Sequence, residues 1–343
     1  LAWREGWQKI IIAAFVGAMQ MLGGGPETIF LTWLTVSALW LQQFITGQTP
    51  RSALLWRFPL VVALVISLTL PQLLPFLDLV AHAQRETGFA DLRWSMPGFG
   101  LANFLVPTAF GSTRNAGIFF QHGQYWTSSY YLGQATLWLA LAAILFLRGK
   151  KVWLLTGIAL VGLLLALGEN APLLPFIRKI LPQLSLITYP IKYVMVTIFA
   201  APLLAALALA EPSKTGKKFL TIGLILLAGL VVVLIGTQVG PLAGDDKLLA
   251  WWSGWSRIGF LLLTALILWA VFRNRQDAIF RFAALTLLIM LWADVHTHQP
   301  QQNPTVSPWV YQTSLMREKL ALRPEPSLDG PRVMVSPPAA SRS

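Results

Sequence analysis

Residues 214–238 read KTGKKFLTIGLILLAGLVVVLIGTQ, three lysines followed by an almost unbroken apolar run. A helix needs about 20 mainly apolar residues to cross a bilayer, and this run has that length. Similar stretches recur along the chain and predict a polytopic, all-α integral membrane protein of about nine transmembrane helices. The predicted spans are residues 7–22, 27–46, 54–80, 129–147, 151–168, 191–210, 218–238, 256–272 and 279–295.

Lysine and arginine cluster in alternate gaps between these spans, and short basic loops stay on the cytoplasmic side of a membrane. This pattern predicts the N-terminus inside and the C-terminal tail outside. By that topology 11 of the 14 acidic residues fall outside, the exceptions being Glu5, Glu211 and Asp277. Acidic residues contribute little to topology, so their uneven distribution between the two sides is information separate from the basic clusters. It indicates that polar function lies on the outer face. The clusters are Arg51/Arg57, Arg148/Lys150/Lys151, Lys214/Lys217/Lys218 and Arg273/Arg275/Arg281.

The composition agrees with a membrane protein and excludes several other classes. Of the 343 residues, 55% are hydrophobic and 12% charged, whereas soluble domains have about 25% charged residues. The basic loops and anionic lipid headgroups account for the net charge of +12, so membrane lipids are expected partners and nucleic acid is not. The absence of cysteine excludes disulfides and thiolate catalysis. No nucleotide-binding motif is present, which argues against ATP-driven transport.

The domain organisation is predicted as a transmembrane helical domain, residues 1–295, and an extracytoplasmic tail, residues 296–343. We expect outer loops at 81–128, 169–190 and 240–255, with short interfacial helices in the two longer ones. Pro71 and Pro75 are expected to end the third helix early. The chain begins at Leu1 and ends in a Pro-rich stretch with Arg332-Val333-Met334-Val335. These ends predict a piece of a longer protein whose tail starts a truncated soluble domain.

Two acidic residues are candidates for catalysis. Glu27 follows Gly23-Gly24-Gly25-Pro26 at an outer turn, where the glycines, the proline and a carboxylate all suit a helix start. The alternative is that Glu27 lines an outer cavity, because acids at membrane depth are functional candidates. Asp78 follows the Pro71/Pro75 segment and is either a solvated helix end or part of a polar cluster with Arg85, which would bind a phosphate.

Four further polar residues are candidate substrate ligands. Glu169 and Asn170 end the fifth predicted helix within Leu167-Gly168-Glu169-Asn170-Ala171-Pro172, where Gly and Asn are ordinary stop signals. Lys192 enters the sixth helix in Tyr189-Pro190-Ile191-Lys192-Tyr193. It is either a snorkelling interfacial lysine or a cation offered to an anionic lipid headgroup, with Tyr189 beside it.

All four histidines fall on the outer side: His82, His122, His296 and His298. Asp294-Val295-His296-Thr297-His298 places histidines at alternate positions, which could share a metal on a strand but would not face each other on a helix. We therefore assign no metal ligand here and interpret the segment as a helix end passing into the tail.

The order of these motifs resembles that of the YfhO-type bacterial membrane protein family, which belongs with the GT-C-like glycosyltransferases. The resemblance covers most of the chain, although each motif is short. The motifs are Leu22-Gly23-Gly24-Gly25-Pro26-Glu27, Pro71-Gln72-Leu73-Leu74-Pro75 with Arg85, Trp94-Ser95-Met96-Pro97, Leu105-Val106-Pro107 with Gly111, the Leu167–Pro172 and Tyr189–Tyr193 segments, and Asp294 with Asn303-Pro304.

The resemblance implies an enzyme of the bacterial cytoplasmic membrane that moves a sugar from a polyprenyl-phosphate carrier to a cell-surface polymer or lipid. It implies a phosphate near Arg85 and Lys192, and it leaves a divalent metal open as a cofactor. In GT-C enzymes an acid of the first outer loop acts as base or metal ligand. That loop would precede Leu1, so Glu27 and Asp78 are the candidate acids within this chain.

Two other functions remain open from the sequence. A transporter or flippase of lipid-linked saccharides should show inverted repeats and broken or charged helices at the midplane, whereas the polar residues here collect at the outer ends. A non-catalytic membrane scaffold is the third hypothesis, because the expected first outer loop is missing from the sequence.

Overall fold

A computed structural model describes residues 6–47, 49–82, 92, 94–115, 118–181, 184, 187–211, 219–273 and 277–299. The structure is mostly helical. Its α-helices in chain order are α1 (Trp7–Leu22), α2 (Pro26–Thr46), α3 (Arg51–His82), α4 (Gln134–Phe146), α5 (Lys150–Ala166), α6 (Leu173–Ile180), α7 (Val194–Ala210), α8 (Phe219–Val239), α9 (Lys247–Arg273) and α10 (Asp277–His296). Two 3₁₀-helices matter for the site, Gly168–Asn170 and Pro190–Tyr193.

Each predicted span overlaps one of these helices. The helices fit the architecture of a multi-pass membrane protein. Among the described residues, five segments are long and apolar enough to cross a bilayer. They are Pro26–Thr46, Arg51–Leu79, Pro190–Ala210, Phe219–Val239 and Lys247–Phe272. Their outer surfaces expose large apolar side chains such as Val232 and Leu266, which a hydrocarbon environment accommodates and water does not.

Buried apolar side chains of the described residues form three clusters. In the largest, α7 packs along both α4 and α5, and α8 to α10 close around α4. Trp138 of α4 lies at its centre, where it contacts Gly223 of α8 and donates to the Phe219 carbonyl over 3.1 Å. A Cβ on Gly223 would come within 2.2 Å of the Trp138 ring, so the glycine permits this close approach. The second cluster includes Ala166 at the end of α5 and Ile191 of the 3₁₀-helix Pro190–Tyr193, and the third packs α1 along α3.

Local signals explain where α2 begins and ends. Gly25 precedes it with φ of 85° and Gly47 follows it with φ of 68°, a left-handed conformation that glycine adopts without steric cost. Pro26 occupies the first turn and Glu27 follows it, where a carboxylate is favoured by the helix dipole. The turn thus places Glu27 in the first turn of α2.

Three local predictions were wrong. α3 does not end at Pro71 but continues through Pro59, Pro71 and Pro75 to His82, since a proline removes only one backbone donor and a membrane helix can tolerate it. α9 begins at Lys247 rather than near residue 256, because Asp246 accepts a hydrogen bond from the Leu249 N–H at 3.0 Å and caps its first turn. The loop before α4 contains a two-stranded antiparallel hairpin, β1 (Gly111–Asn115) and β2 (Ile118–Gln121).

The interfacial helices expected in the outer loops have two counterparts, the 3₁₀-helix Gly98–Phe104 and the short helix α6. The predicted tail begins with His296, the last residue of α10, and the turn to Gln299, and its remainder lies outside the described residues.

Candidate functional site

Four segments of the chain meet around Lys192. They are the first turn of α2 with Glu27, the 3₁₀-helix Pro190–Tyr193, and the loops that carry Trp94 and Trp126. Backbone hydrogen bonds join the loop of Trp94 both to this 3₁₀-helix and to the end of α5. Ile191 N–H donates to the Trp94 carbonyl over 3.3 Å, and Met96 N–H donates to the Ala166 carbonyl over 2.8 Å.

Lys192 and Glu27 form a largely enclosed ion pair. The Lys192 Nζ donates to Glu27 Oε1 over 2.6 Å, with the lysine side chain 8% exposed and the glutamate side chain 23% exposed. A buried charge is costly unless it is paired. This partner explains why an ammonium group is stable here.

Three aromatic rings complete the enclosure, and we call Trp94, Trp126 and Tyr189 the aromatic cluster. Lys192 Nζ lies 4.0 Å from the Trp126 ring centroid and 5.0 Å from that of Tyr189. The ring centroids of Tyr189 lie 4.3 Å from Trp94 and 4.6 Å from Trp126. Aromatic faces attract cations electrostatically, so Trp126 and Tyr189 stabilise the ammonium in addition to Glu27. Trp126 is 47% exposed, so the site reaches the molecular surface.

Gly168 holds the loop of Trp94 in place. Its φ is +53°, and a Cβ there would lie 2.0 Å from Ser95 Oγ and 2.8 Å from Pro190 Cβ. The neighbouring Glu169 N–H donates to Ser95 Oγ over 3.1 Å, and Asn170 Nδ2 donates to the Met96 carbonyl over 2.8 Å. This glycine is therefore required by both backbone conformation and space.

We expect Gly168→Ala to lower the free energy of unfolding by about 1–3 kcal/mol through its left-handed φ and its clash. The variant should also disturb the aromatic cluster, because Ser95 must move and Trp94 with it. Thermal unfolding in detergent measures the first effect. Gly157→Ala in α5 is the control, since nothing lies within 4 Å of a Cβ there; equal stability of the two variants would contradict the assignment.

The structure brings together Glu27, Lys192 and Tyr189, three of the residues chosen from the sequence. Glu169 and Asn170 lie in the adjoining turn, where their described contacts with Ser95 and Met96 support the loop of Trp94. Asp78 is exposed and paired with His82 of the same helix at 3.3 Å rather than with Lys192. Arg85 lies outside the described residues.

An apolar cavity of about 300 Å³ adjoins the turn before Glu27. Its walls come from the α1–α2 turn, from α2 and from the second half of α3. The lining residues are Met21, Gly24, Gly25, Pro26, Ile29, Phe30, Thr69, Gln72, Leu73 and Phe76.

A second group of charged residues lies buried between α4, α9 and α10. Arg257 Nη1 donates to Asp294 Oδ1 over 2.6 Å, and the two side chains are 1% and 0% exposed. Asp294 Oδ2 also accepts from the Tyr131 hydroxyl at 2.9 Å and the Gln134 N–H at 2.8 Å. We call these four residues the Arg257 network. It ties the start of α4 to α9 and to the last turn of α10.

His298 borders this network and contacts Ser129, with 3.1 Å between Nε2 and Oγ. Burial, and after it the positive charge of Arg257, lowers the pKa of His298 to about 4. The imidazole is therefore neutral at physiological pH. Within the described part of the chain, no three His, Asp or Glu side chains group closely enough to hold a metal ion, so a divalent metal stays a prediction from the resemblance.

Sequence reasoning missed Trp94 and Trp126 as site residues and Arg257 as a buried charge. Only the fold shows that Trp126 faces Lys192 and that Trp94 packs against Tyr189 beside it. The sequence does contain a signal for Arg257, because a charge inside an apolar stretch is a functional or structural candidate. With the span predicted to start near residue 256, Arg257 falls at the end of the helix, where a charge is ordinary.

Comparison of the chain with protein-family models, with curated proteins and with solved structures finds no match. Its function must therefore be argued from the chemistry of the Glu27–Lys192 site.

Proposed function

We propose that this chain belongs to a membrane glycosyltransferase that moves a sugar from a polyprenyl-phosphate carrier to a cell-surface polymer or lipid. The observation that carries the proposal is the enclosed pair of Glu27 and Lys192, 2.6 Å apart, beside the aromatic cluster. A cation, a carboxylate and aromatic rings in one place match a ligand with a phosphate, a hydroxyl and a sugar ring.

Each group has a role in such a transfer. Lys192 binds the carrier's phosphate, and Glu27 accepts the proton of the acceptor hydroxyl. The acceptor oxygen forms a bond to the anomeric carbon while the bond from that carbon to the phosphate oxygen breaks. The electron pair of the broken bond goes to the phosphate, whose growing charge a fixed cation stabilises. Exposed Trp126 lies where the sugar would meet an aromatic face.

The location of the site suits a lipid-linked substrate. Glu27 begins one helix long enough to span a bilayer, and Lys192 lies in the first turn of another, Pro190–Ala210. Helix ends of this kind lie near a membrane surface, where tryptophan and tyrosine are favoured. A carrier embedded in the bilayer could thus present its headgroup to the site while the acceptor arrives from water.

The proposal is tested with the full-length protein in nanodiscs, supplied with radiolabelled polyprenyl-phosphate sugars and envelope glycan acceptors. We expect the label to move to the acceptor in detergent as well as in nanodiscs, because transfer does not need two compartments. Label that stays on the carrier but crosses the membrane of proteoliposomes would establish the transporter instead. Absence of both activities would leave the scaffold hypothesis.

A further inference from the structure

The cavity beside Glu27 has walls that suit a hydrocarbon chain. Among the described residues that line it, Thr69 and Gln72 have the only polar side chains. The Thr69 hydroxyl already donates to the Val65 carbonyl over 2.8 Å, and this residue is 1% exposed. Cavities with apolar walls take up apolar molecules rather than water. The occupant should therefore be apolar.

The cavity opens toward the surface that a bilayer would cover. Pro26 and Phe76 line it and are exposed. On the same part of α3, Leu74 and Leu77 expose large apolar side chains. The cavity is formed by helices α2 and α3, which are both long enough to cross a bilayer, and by the turn before α2. A lipid chain could thus enter from the bilayer without crossing water.

The first turn of α2 borders both this cavity and the ammonium of the candidate site. Pro26 lines the cavity, and the next residue, Glu27, accepts the hydrogen bond of Lys192 at 2.6 Å. Phe30 also lines the cavity and packs against the buried cluster that contains Ile191. An amphiphile with its chain in the cavity would consequently have its headgroup beside Lys192.

We propose that this cavity binds the two isoprene units next to the carrier's phosphate and leaves the rest of the chain in the bilayer. Its volume of about 300 Å³ has room for about ten carbon atoms, if a methylene group takes roughly the 30 Å³ of a water molecule. Two isoprene units have that many carbons. The inference rests on the proposed function for the identity of the ligand. It adds where the chain lies and how much of it is recognised.

A chain that begins at the phosphate suits this position better than an acyl chain. In a prenyl phosphate the hydrocarbon starts at a phosphate oxygen, so it can pass directly from Lys192 into the cavity. A glycerophospholipid has a glycerol and ester groups between the phosphate and its acyl chains. These polar groups would lose water between mostly apolar walls, which is costly. Common membrane lipids are therefore disfavoured as occupants.

The free energy that the cavity contributes comes from packing rather than from removal of the chain from water. Bilayer hydrocarbon is about as apolar as a leucine side chain, so the chain gains mainly van der Waals contacts with the cavity walls. Filling the cavity should weaken binding by a limited factor. That factor should stop growing once the chain is longer than the cavity.

The test compares dimethylallyl, geranyl and geranylgeranyl phosphate, which have one, two and four isoprene units. Binding is measured by titration calorimetry on the full-length protein in phosphatidylcholine nanodiscs. Leu73→Trp fills the cavity from α3. We expect it to weaken geranyl and geranylgeranyl phosphate by the same factor, about 10-fold, and dimethylallyl phosphate by less. The ratio of variant to wild-type Kd for one probe cancels the partitioning of that probe into the membrane.

Two further variants accompany Leu73→Trp. Leu74→Trp is the matched control, because it makes the same substitution one residue later, at a side chain that is 56% exposed and does not line the cavity. It should leave all three Kd values unchanged. Phe76→Ala removes part of the cavity wall at a side chain that is 47% exposed, so it serves if Leu73→Trp does not fold. It should weaken the two longer probes about 5-fold.

Three results would overturn the inference: no binding of any probe to the wild type, equal Kd values in wild type and Leu73→Trp, or an effect that keeps growing from geranyl to geranylgeranyl phosphate. An equal loss for dioleoyl phosphatidic acid would also overturn it, because the cavity would then take acyl chains. The expected binding pattern without sugar transfer would support the inference and refute the proposed function. Transfer without that pattern would refute only the inference.

Discussion

Replacing Arg257 with leucine is expected to lower the free energy of unfolding by about 3–5 kcal/mol, the usual cost of breaking a buried ion pair. The variant leaves the Asp294 carboxylate fully buried, with the Tyr131 hydroxyl and the Gln134 N–H as its remaining described hydrogen-bond donors. It also removes the hydrogen bond of 2.8 Å from Arg257 Nη2 to Thr297 Oγ1. We expect a large drop in melting temperature in detergent.

Two further variants separate the lost ion pair from other effects. Arg281→Leu removes an exposed arginine from α10 and should change stability little. The double variant Arg257→Met/Asp294→Leu should recover much of the loss, because apolar pairs often replace buried ion pairs at small cost. If the double variant is less stable than both Arg257→Leu and Asp294→Leu, the Arg257 network does not stabilise the protein through its charges alone.

Lys192→Ala is expected to reduce sugar transfer about 100-fold or more, because it removes the cation that would face the departing phosphate. The loss should fall mainly on kcat, since the charge on phosphate is largest in the transition state. Lys192→Arg keeps a positive charge and should retain part of the activity, although its planar group cannot reproduce the contact over Trp126.

Removing Lys192 also leaves Glu27 unpaired, so expression and melting temperature must be measured beside activity. Glu27 is 23% exposed and can reach water, so the protein should still fold. Lys247→Ala removes an exposed lysine from the first turn of α9 and serves as the control. Transfer in Lys192→Ala at the wild-type rate would exclude this residue as the phosphate ligand.

The order and approximate extent of the helices could be predicted from apolar runs and basic gaps. The continuation of α3 through Pro71 and Pro75 could not, because local propensity does not show which broken hydrogen bonds a bilayer helix tolerates. The hairpin β1–β2 was also missed. Its strands are short. The need for a glycine at position 111 shows only in the folded pair of strands, where a Cβ would lie 2.2 Å from the Phe120 carbonyl oxygen.

Part of the candidate site was also visible in the sequence. The sequence indicates Glu27 and Lys192 as candidate site residues because both are charges at predicted helix ends. They are 165 positions apart, so no local sequence pattern predicts that they form a pair. Gly168, which packs against Ser95 and Pro190, lets the loop of Trp94 approach the 3₁₀-helix of Lys192. The aromatic cluster follows from the same packing.

By itself, the sequence determined that the chain is a multi-pass helical membrane protein, because the hydrophobic effect acts on each 20-residue segment largely independently of the others. Only the tertiary structure decided which polar groups meet. Charges buried between helices must find partners wherever the packing places them. That requirement joined Lys192 to Glu27 and Arg257 to Asp294 across long stretches of sequence.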